Sequence, residues 1–282
     1  MSPMSDFTTV TTPTRLGPDL FEARVPDGWQ QGRGAFGGLV VAHLVRSIEA
    51  FARGETPTSP PPALEATPER SLRSLTAEIC GPVLPGPNTI RVERLRTGTG
   101  VSTVAARLER DGEVLAHAVG VLGRPRGAAT DDFCELPRPA MPPWREMTPI
   151  GRNEMGPSFA RFLEFRPLGP APFTSSTADT VASGWIRPVE PGPARDSAYV
   201  AALADAWWPA VLTRFTAPRP VATVAFTLEL LSNLEGLDPE APLFHSAQAV
   251  ACRGGYLVEM RQLWGEDGRL IALNQQTIVI IK

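Results

Sequence analysis

A chain of 282 residues, 43% of them hydrophobic and carrying a formal net charge of −3, has the composition of a soluble globular protein with room for two domains. Without a basic surplus it offers no electrostatic case for a nucleic-acid partner, and it contains no apolar run long enough to cross a membrane as a helix. The opening MSPMSDFTTVTTP lacks the charged and apolar regions of a secretion signal, so a cytoplasmic location is expected. Cys80, Cys134 and Cys252 are odd in number and far apart; they imply neither a disulfide framework nor a metal knuckle and are expected to be packing residues.

In chain order, a first strand is expected near residues 19–29. From Phe36 the run FGGLVVAHLVRSIEAFA is apolar on most faces, as a buried helix is. A Pro-rich loop at 56–68 follows, then strands near 70–81, 88–97, 101–110 and 113–123. Prolines at 125, 137, 139, 142, 143 and 149 break regular structure. They mark 124–159 as a connector between an N-terminal unit, 1–123, and a C-terminal unit, 160–282. The order then begins again, with strands near 160–168 and 182–188, the helical run SAYVAALADAWW, and strands near 221–231, 244–252, 255–264 and 269–281.

Two matches in the same order argue for duplication. The segment DGEVLA at 111–116 returns as DGRLIA at 267–272, each copy placed where an Asp-Gly turn would join two strands. Upstream, LTAEICGPVLPG at 75–86 is mirrored by FTLELLSNLEG at 226–236, with Glu78 matching Glu229. The expected fold is α+β, a double hot dog: two repeats, each with a central helix wrapped by an antiparallel sheet. A helix placed early and hairpins placed late argue against a parallel doubly wound sheet. Apolar strands at the end of each repeat would expose edges unless the two units share one sheet, and on the same ground a homo-oligomer is expected.

One residue stands out on physical grounds. Asp205 is the only charged residue between Asp196 and Arg214, and helical spacing puts it in a stripe with Ala198, Ala201, Trp208 and Leu212. A lone carboxylate on an apolar face must find partners or shift its pKa, which is the setting of a general base. The alternative is a solvated position at the rim of the helix. Pro209 cannot donate to the Asp205 carbonyl, so the helix should kink or end there.

The segments WQQGRGAFGGLVVAHL, GPVLPG, the two DG hairpins, ALADAWW and IALNQQTIVI, in that order, resemble the acyl-CoA thioesterase II family of the thioesterase-like superfamily. The resemblance spans almost the whole chain and is weakest in the connector. It implies hydrolysis of acyl-CoA by a water held between an Asp on the second central helix, a Ser or Thr on the next strand and a Gln on the last. Carried over, these are Asp205, Thr223 and Gln276, with no metal or redox cofactor. Where that family usually has an acidic residue and a His after the strand Thr, this chain has Ala225 and Phe226.

Alternation along VATVAFTLELL puts Thr223 with Ala225, Thr227 and Glu229, opposite Val224, Phe226 and Leu228, so Thr227 is the fallback hydroxyl. Gln275 and Gln276 must face opposite ways, and only the resemblance favours Gln276. Aligning the repeats sets Leu72 against Thr223, Gly120 against Gln276 and His43 near Asp205. The first unit thus lacks the polar set and reads as non-catalytic scaffold. His43 reads as a core residue; His117 and His245 have no companions at metal-ligand spacing. Gly32, Gly34 and Gly37 fit a dinucleotide fingerprint, but no buried strand precedes them and no βαβ unit follows. The rival readings are a hot dog enoyl-CoA hydratase or dehydratase, disfavoured because no His follows Asp205, and a catalytically silent acyl-thioester-binding protein.

Overall fold

The computed structural model describes residues 5–54, 70–126, 131–150, 156–173 and 178–281. The first half contributes helix α1 (Phe7–Thr11), strands β1 (Thr14–Arg15) and β2 (Leu20–Val25), and a two-residue hairpin of β3 (Gln30–Gln31) and β4 (Gly34–Ala35). Helix α2 (Gly37–Arg53) follows, then β5 (Ser71–Ile79), β6 (Gly86–Thr97), β7 (Val101–Arg110) and β8 (Glu113–Gly123). The second half repeats the plan with β9 (Leu163–Leu168), β10 (Val181–Pro188), α3 (Ser197–Ala206), β11 (Val221–Leu230), β12 (Leu243–Arg253), β13 (Tyr256–Trp264) and β14 (Leu270–Ile280). Where a strand was expected from residue 160, a short 3-10 helix, Ser158–Phe162, precedes β9.

Among the described residues, twelve strands form one sheet in the order β1-β2-β6-β7-β8-β5-β11-β14-β13-β12-β10-β9. All its pairings are antiparallel, and the halves join through β5 and β11, where Thr76 lies opposite Thr227. Outward from that seam each half reads alike, β8-β7-β6-β2 on one side and β14-β13-β12-β10 on the other. Of the two expected Asp-Gly turns, the first is a two-residue hairpin with Asp111 at φ 54 and Gly112 at φ 84. The second is longer, since β13 stops at Trp264 and β14 starts at Leu270.

The sheet wraps α2 and α3, which pack on each other through small residues. A Cβ added at Gly38 would fall 2.6 Å from the Ala202 carbonyl oxygen, so the crossing is close enough to require glycine. Ala198, Ala201, Ala202 and Ala204 are wholly buried. Asp196 caps α3, its carboxylate accepting the Tyr199 N–H at 3.0 Å, and the helix ends at Ala206, in keeping with the block at Pro209. Trp208 and Leu212 therefore lie beyond the helix and do not extend its stripe as expected; Leu212 sits in a separate 3-10 helix, Ala210–Arg214.

The connector packs rather than merely spans. Trp144 joins Trp185, Phe244, Trp264 and Leu270 in a second apolar cluster, and the Trp185 indole donates to the Pro142 carbonyl at 2.8 Å. The expectation for the cysteines is corrected: Cys80, Cys134 and Cys252 are all exposed. Cys80 follows the end of β5, Cys134 lies in the connector and Cys252 sits near the end of β12, all positions outside the wrapped core.

Candidate active site

Asp205 sits in the last turn of α3 and is buried with the rest of that helix. Its Oδ1 accepts a hydrogen bond from Gln276 Nε2 at 3.0 Å. The same Nε2 donates to Asn274 Oδ1, also at 3.0 Å, while Gln276 Oε1 accepts the Thr223 hydroxyl at 2.8 Å. Both amide hydrogens of Gln276 are thus committed, which fixes the amide's orientation. Asn274 in turn donates to the Thr227 carbonyl. Gln276 is fully buried and Gln275 exposed, so strand alternation has resolved that pair.

Thr223 reaches this network through an irregularity that simple alternation misses. In the register of β11 on β14, Thr223 faces Ile278 and Ala225 faces Thr277, leaving Val224 as an extra residue. The bulge reverses the side to which Thr223 points and puts it with Phe226 and Leu228 rather than with Thr227 and Glu229. Thr227 contributes only its backbone carbonyl.

The other wall comes from the first half. Helix α2 opens on Gly37 after Phe36, whose side chain provides no cap. A Cβ at Gly37 would lie 2.6 Å from Asp205 Oδ2, so the carboxylate of α3 occupies the space at the start of α2. The Gly38 N–H faces the same carboxylate. Asp205 therefore caps the opposite helix, where the helix dipole favours an anion by about 0.3–1 kcal/mol. Gly32 serves a tight turn at φ 65 between β3 and β4, and a Cβ added at Gly34 would fall 3.0 Å from Pro82 Cα. The three glycines of the dinucleotide pattern thus have separate local roles.

A second buried carboxylate, Glu259, pairs with Arg261, whose charge also acts on Asp205. Glu259 Oε1 accepts from Arg261 Nε at 2.8 Å, and its Oε2 accepts the Ala210 N–H at 2.7 Å. Arg261 Nη1 donates at 2.8 Å to the Ala204 carbonyl, one of the unpaired carbonyls at the end of α3. Burial pushes the pKa of Asp205 above the ordinary carboxylate range; Arg261, the Gln276 amide, the Gly38 N–H and the Thr223 hydroxyl pull against it. Glu259 is raised by burial as well, with Arg261 opposing. Asp205 is left as a carboxylate of heightened basicity.

The histidines stand apart. His43 donates through Nε2 to the Val10 carbonyl at 2.9 Å, and burial holds its pKa down to about 4. His245 is fully buried, its pKa lowered by burial and by Arg261, and its ring stacks on Trp207 with centroids 5.3 Å apart. His117 pairs with Glu78 on the sheet surface at 3.1 Å. Among the described residues no three His, Cys, Asp or Glu side chains gather as a metal site would need, and no helix is long and apolar enough to cross a membrane.

At the mirrored position in the first half, Gly120 faces Leu75 as Gln276 faces Phe226, and a Cβ at Gly120 would meet Leu72 and Ile48 at 3.0 and 3.1 Å. Sequence reasoning overlooked Asn274, although its place two residues before Gln276 put it on the same strand face. The Glu259–Arg261 pair carried the same period-two signal. Nothing local in the sequence announced that Gly37 would meet Asp205.

The acyl-CoA thioesterase N-terminal domain family matches residues 25–123, and the acyl-CoA thioesterase C-terminal domain family matches 133–280, over half the chain. Among curated proteins none matches the sequence. Among solved structures, the chain is similar to a conserved hot dog protein of unknown function from Alicyclobacillus acidocaldarius, with TM-score 0.81, 23% identity and 97% of each chain covered. It is also similar to a candidate thioesterase II from Thermobifida fusca YX, with TM-score 0.79, 21% identity and 100% of each chain covered. The acyl-CoA thioesterase II TesB2 of Mycobacterium marinum superposes with TM-score 0.72 at 17% identity over 96% of each chain. At these identities the structures establish a common fold, and the matches to both domain families decide the rest: the chain belongs to the acyl-CoA thioesterase II family.

Proposed function

We propose that the protein hydrolyses acyl-CoA to a free acid and coenzyme A, and that the two halves of its sheet are two hot dog units of which the second carries the catalytic base. The observation that carries this reading is the buried Asp205 carboxylate, held by Gln276 at 3.0 Å against the first turn of α2. In this reading Asp205 takes a proton from a water as the water oxygen attacks the thioester carbonyl carbon. The tetrahedral intermediate then collapses, the carbon–sulfur bond breaks, and the departing thiolate takes up a proton. Because both amide hydrogens of Gln276 are committed to Asp205 and Asn274, Gln276 and Thr223 act as positioning groups. The developing oxyanion is assigned to backbone N–H groups at the start of α2, where a helix N-terminus favours negative charge.

Free-thiol release from a panel of acyl-CoAs, by the parent and by Asp205→Asn, tests the reading. Release by the parent and its loss in the variant support it. Acyl-CoA binding without thiol release would favour a silent binding protein, and water addition to enoyl-CoA without thiol release would favour a hydratase.

A further inference from the structure

Strand β14 leads away from the carboxylate network along one face of the sheet. Asn274 and Gln276 belong to the network; Ile278, the next residue on that face, is buried in an apolar cluster with Val211, Leu212 and Leu257. Trp208 and Phe215 pack against this cluster, as do Val221 and Ile280. One step further out lies the loop between the 3-10 helix Ala210–Arg214 and β11, tied to the end of β14 by the Ile281 N–H on the Pro220 carbonyl at 2.9 Å. This loop forms a shallow concavity lined by Arg214, Phe215, Thr216, Ala217 and Arg219.

That concavity carries uncompensated positive charge. Arg46, Arg145, Arg166, Arg187, Arg261 and Arg269 all lie in ion pairs. Arg214 and Arg219 are exposed, and among the described residues neither has a carboxylate partner or donates a hydrogen bond. The Arg219 guanidinium lies over the Phe215 ring, 4.9 Å from its centroid, which fixes its position without neutralising it. Exposed Arg253, the last residue of β12 at the same end of the sheet, adds to the positive field.

We propose that Arg214 and Arg219 hold the phosphate groups of the coenzyme A portion of the substrate. The proposal rests on the thioesterase reading and deepens it. Along one sheet face the chemistry runs from the carboxylate network, past a buried apolar cluster whose outer side chains Phe215, Val221 and Ile280 are half-buried, to unpaired guanidinium groups. An acyl-CoA presents the same order as thioester, pantetheine arm and phosphates. The span from Gln276 to Ile280 is about 13 Å at the rise of an extended strand, long enough to separate the reacting carbonyl from the charged end. Guanidinium groups suit phosphate through paired N–H donors.

The experiment compares one acyl group carried on coenzyme A and on pantetheine, which lacks the nucleotide phosphates. In the parent, kcat/KM favours the coenzyme A thioester. In the Arg214→Ala/Arg219→Ala double variant that preference falls by about 10- to 100-fold, as expected for losing charge-assisted hydrogen bonds. The ratio also loses its dependence on salt. A preference that survives the double substitution, or equal losses on both thioesters, overturns the proposal. If the parent cleaves neither thioester, the activity reading has failed, and calorimetry with adenosine 3′,5′-bisphosphate reads the subsite alone. Binding to the parent that the double variant lacks sustains the subsite; binding to neither, or equally to both, overturns it.

Discussion

Each central helix sends an acidic side chain to the start of the other. Asp205 of α3 meets Gly37 of α2, and Glu49 of α2 accepts the hydroxyl of Ser197, the first residue of α3, at 2.6 Å. Both carboxylates are buried and both have pKa values raised chiefly by desolvation. The difference lies in what stands behind them. Asp205 is backed by the amide of Gln276, the hydroxyl of Thr223 and the side chain of Asn274, whereas Leu72 and Gly120 stand at the positions of the first half that match Thr223 and Gln276. Glu49 is instead offset by Arg53 at 3.8 Å, beside the Arg46–Asp196 pair. A carboxylate at a helix start is thus common to both halves, and a polar relay behind it is what distinguishes a candidate site from an ordinary buried ion pair.

The largest test of this contrast is Asp205→Asn, which keeps the size of the side chain but turns one accepting oxygen into a donor and cannot accept a proton. Thioester hydrolysis should fall by roughly 10² to 10⁴ with the circular dichroism spectrum unchanged. Next, Gly37→Ala should lower kcat by about 10²-fold, because the new methyl group displaces a carboxylate held within reach of its reacting water. Its melting temperature should fall modestly, since the methyl group would lie 2.6 Å from the carboxylate and 2.9 Å from Ile79 Cδ1 and must be accommodated by local shifts. A Gly37→Ala protein as active as the parent would show that the start of α2 is not part of the site.

Gln276→Ala should cost roughly 10- to 100-fold in kcat. Combined with Asp205→Asn it should lose less than the product of the single effects, as groups acting on one water do. Multiplicative losses would separate the two residues into independent roles. The controls belong to the first half: Glu49→Gln and His43→Asn should leave turnover within a few fold. A dead Glu49→Gln beside an active Asp205→Asn would exchange the roles of the halves.

The smallest effect is on stability. A carboxyl group whose pKa is raised by folding binds its proton more tightly in the folded state, so its contribution is full below the unfolded value and is lost as pH rises through the raised one. Asp205→Asn removes that loss. The variant should match the parent's pH trend in acid, then gain in relative melting temperature as pH climbs from the ordinary carboxylate range through the raised pKa of Asp205. A relative stability that stays flat across that window would show that Asp205 is not raised. The pH dependence of kcat/KM should rise over the same interval.

The repeat and its patterning made most strands readable, because one-sided burial imposes a period of two on sequence. Thus the β7 and β8 limits expected from the sequence, 101–110 and 113–123, coincide with the observed strands. Asp205 was legible for a related reason, since a single charge in an apolar helix is conspicuous. Thr223 was legible only through family resemblance. Its own strand pattern pointed the wrong way because one extra residue at Val224 inverts the alternation, and a bulge leaves no compositional trace. The exposed cysteines show a converse error: an apolar residue type says little when the position lies beyond a strand end or in a connector. Contacts across the seam, above all Gly37 with Asp205, join residues far apart in the chain and have no local signature.

In the proposed mechanism the contact of Gly37 with Asp205 makes conformational opening and chemistry a single equilibrium. A fluctuation that parts α2 from α3 removes both the anion at the start of one helix and the scaffold around the proposed base, without requiring the outer strands to separate. Loss of activity on heating should therefore precede loss of sheet signal. A ligand bound across the seam should raise the melting temperature of both halves together, because it binds only the closed arrangement.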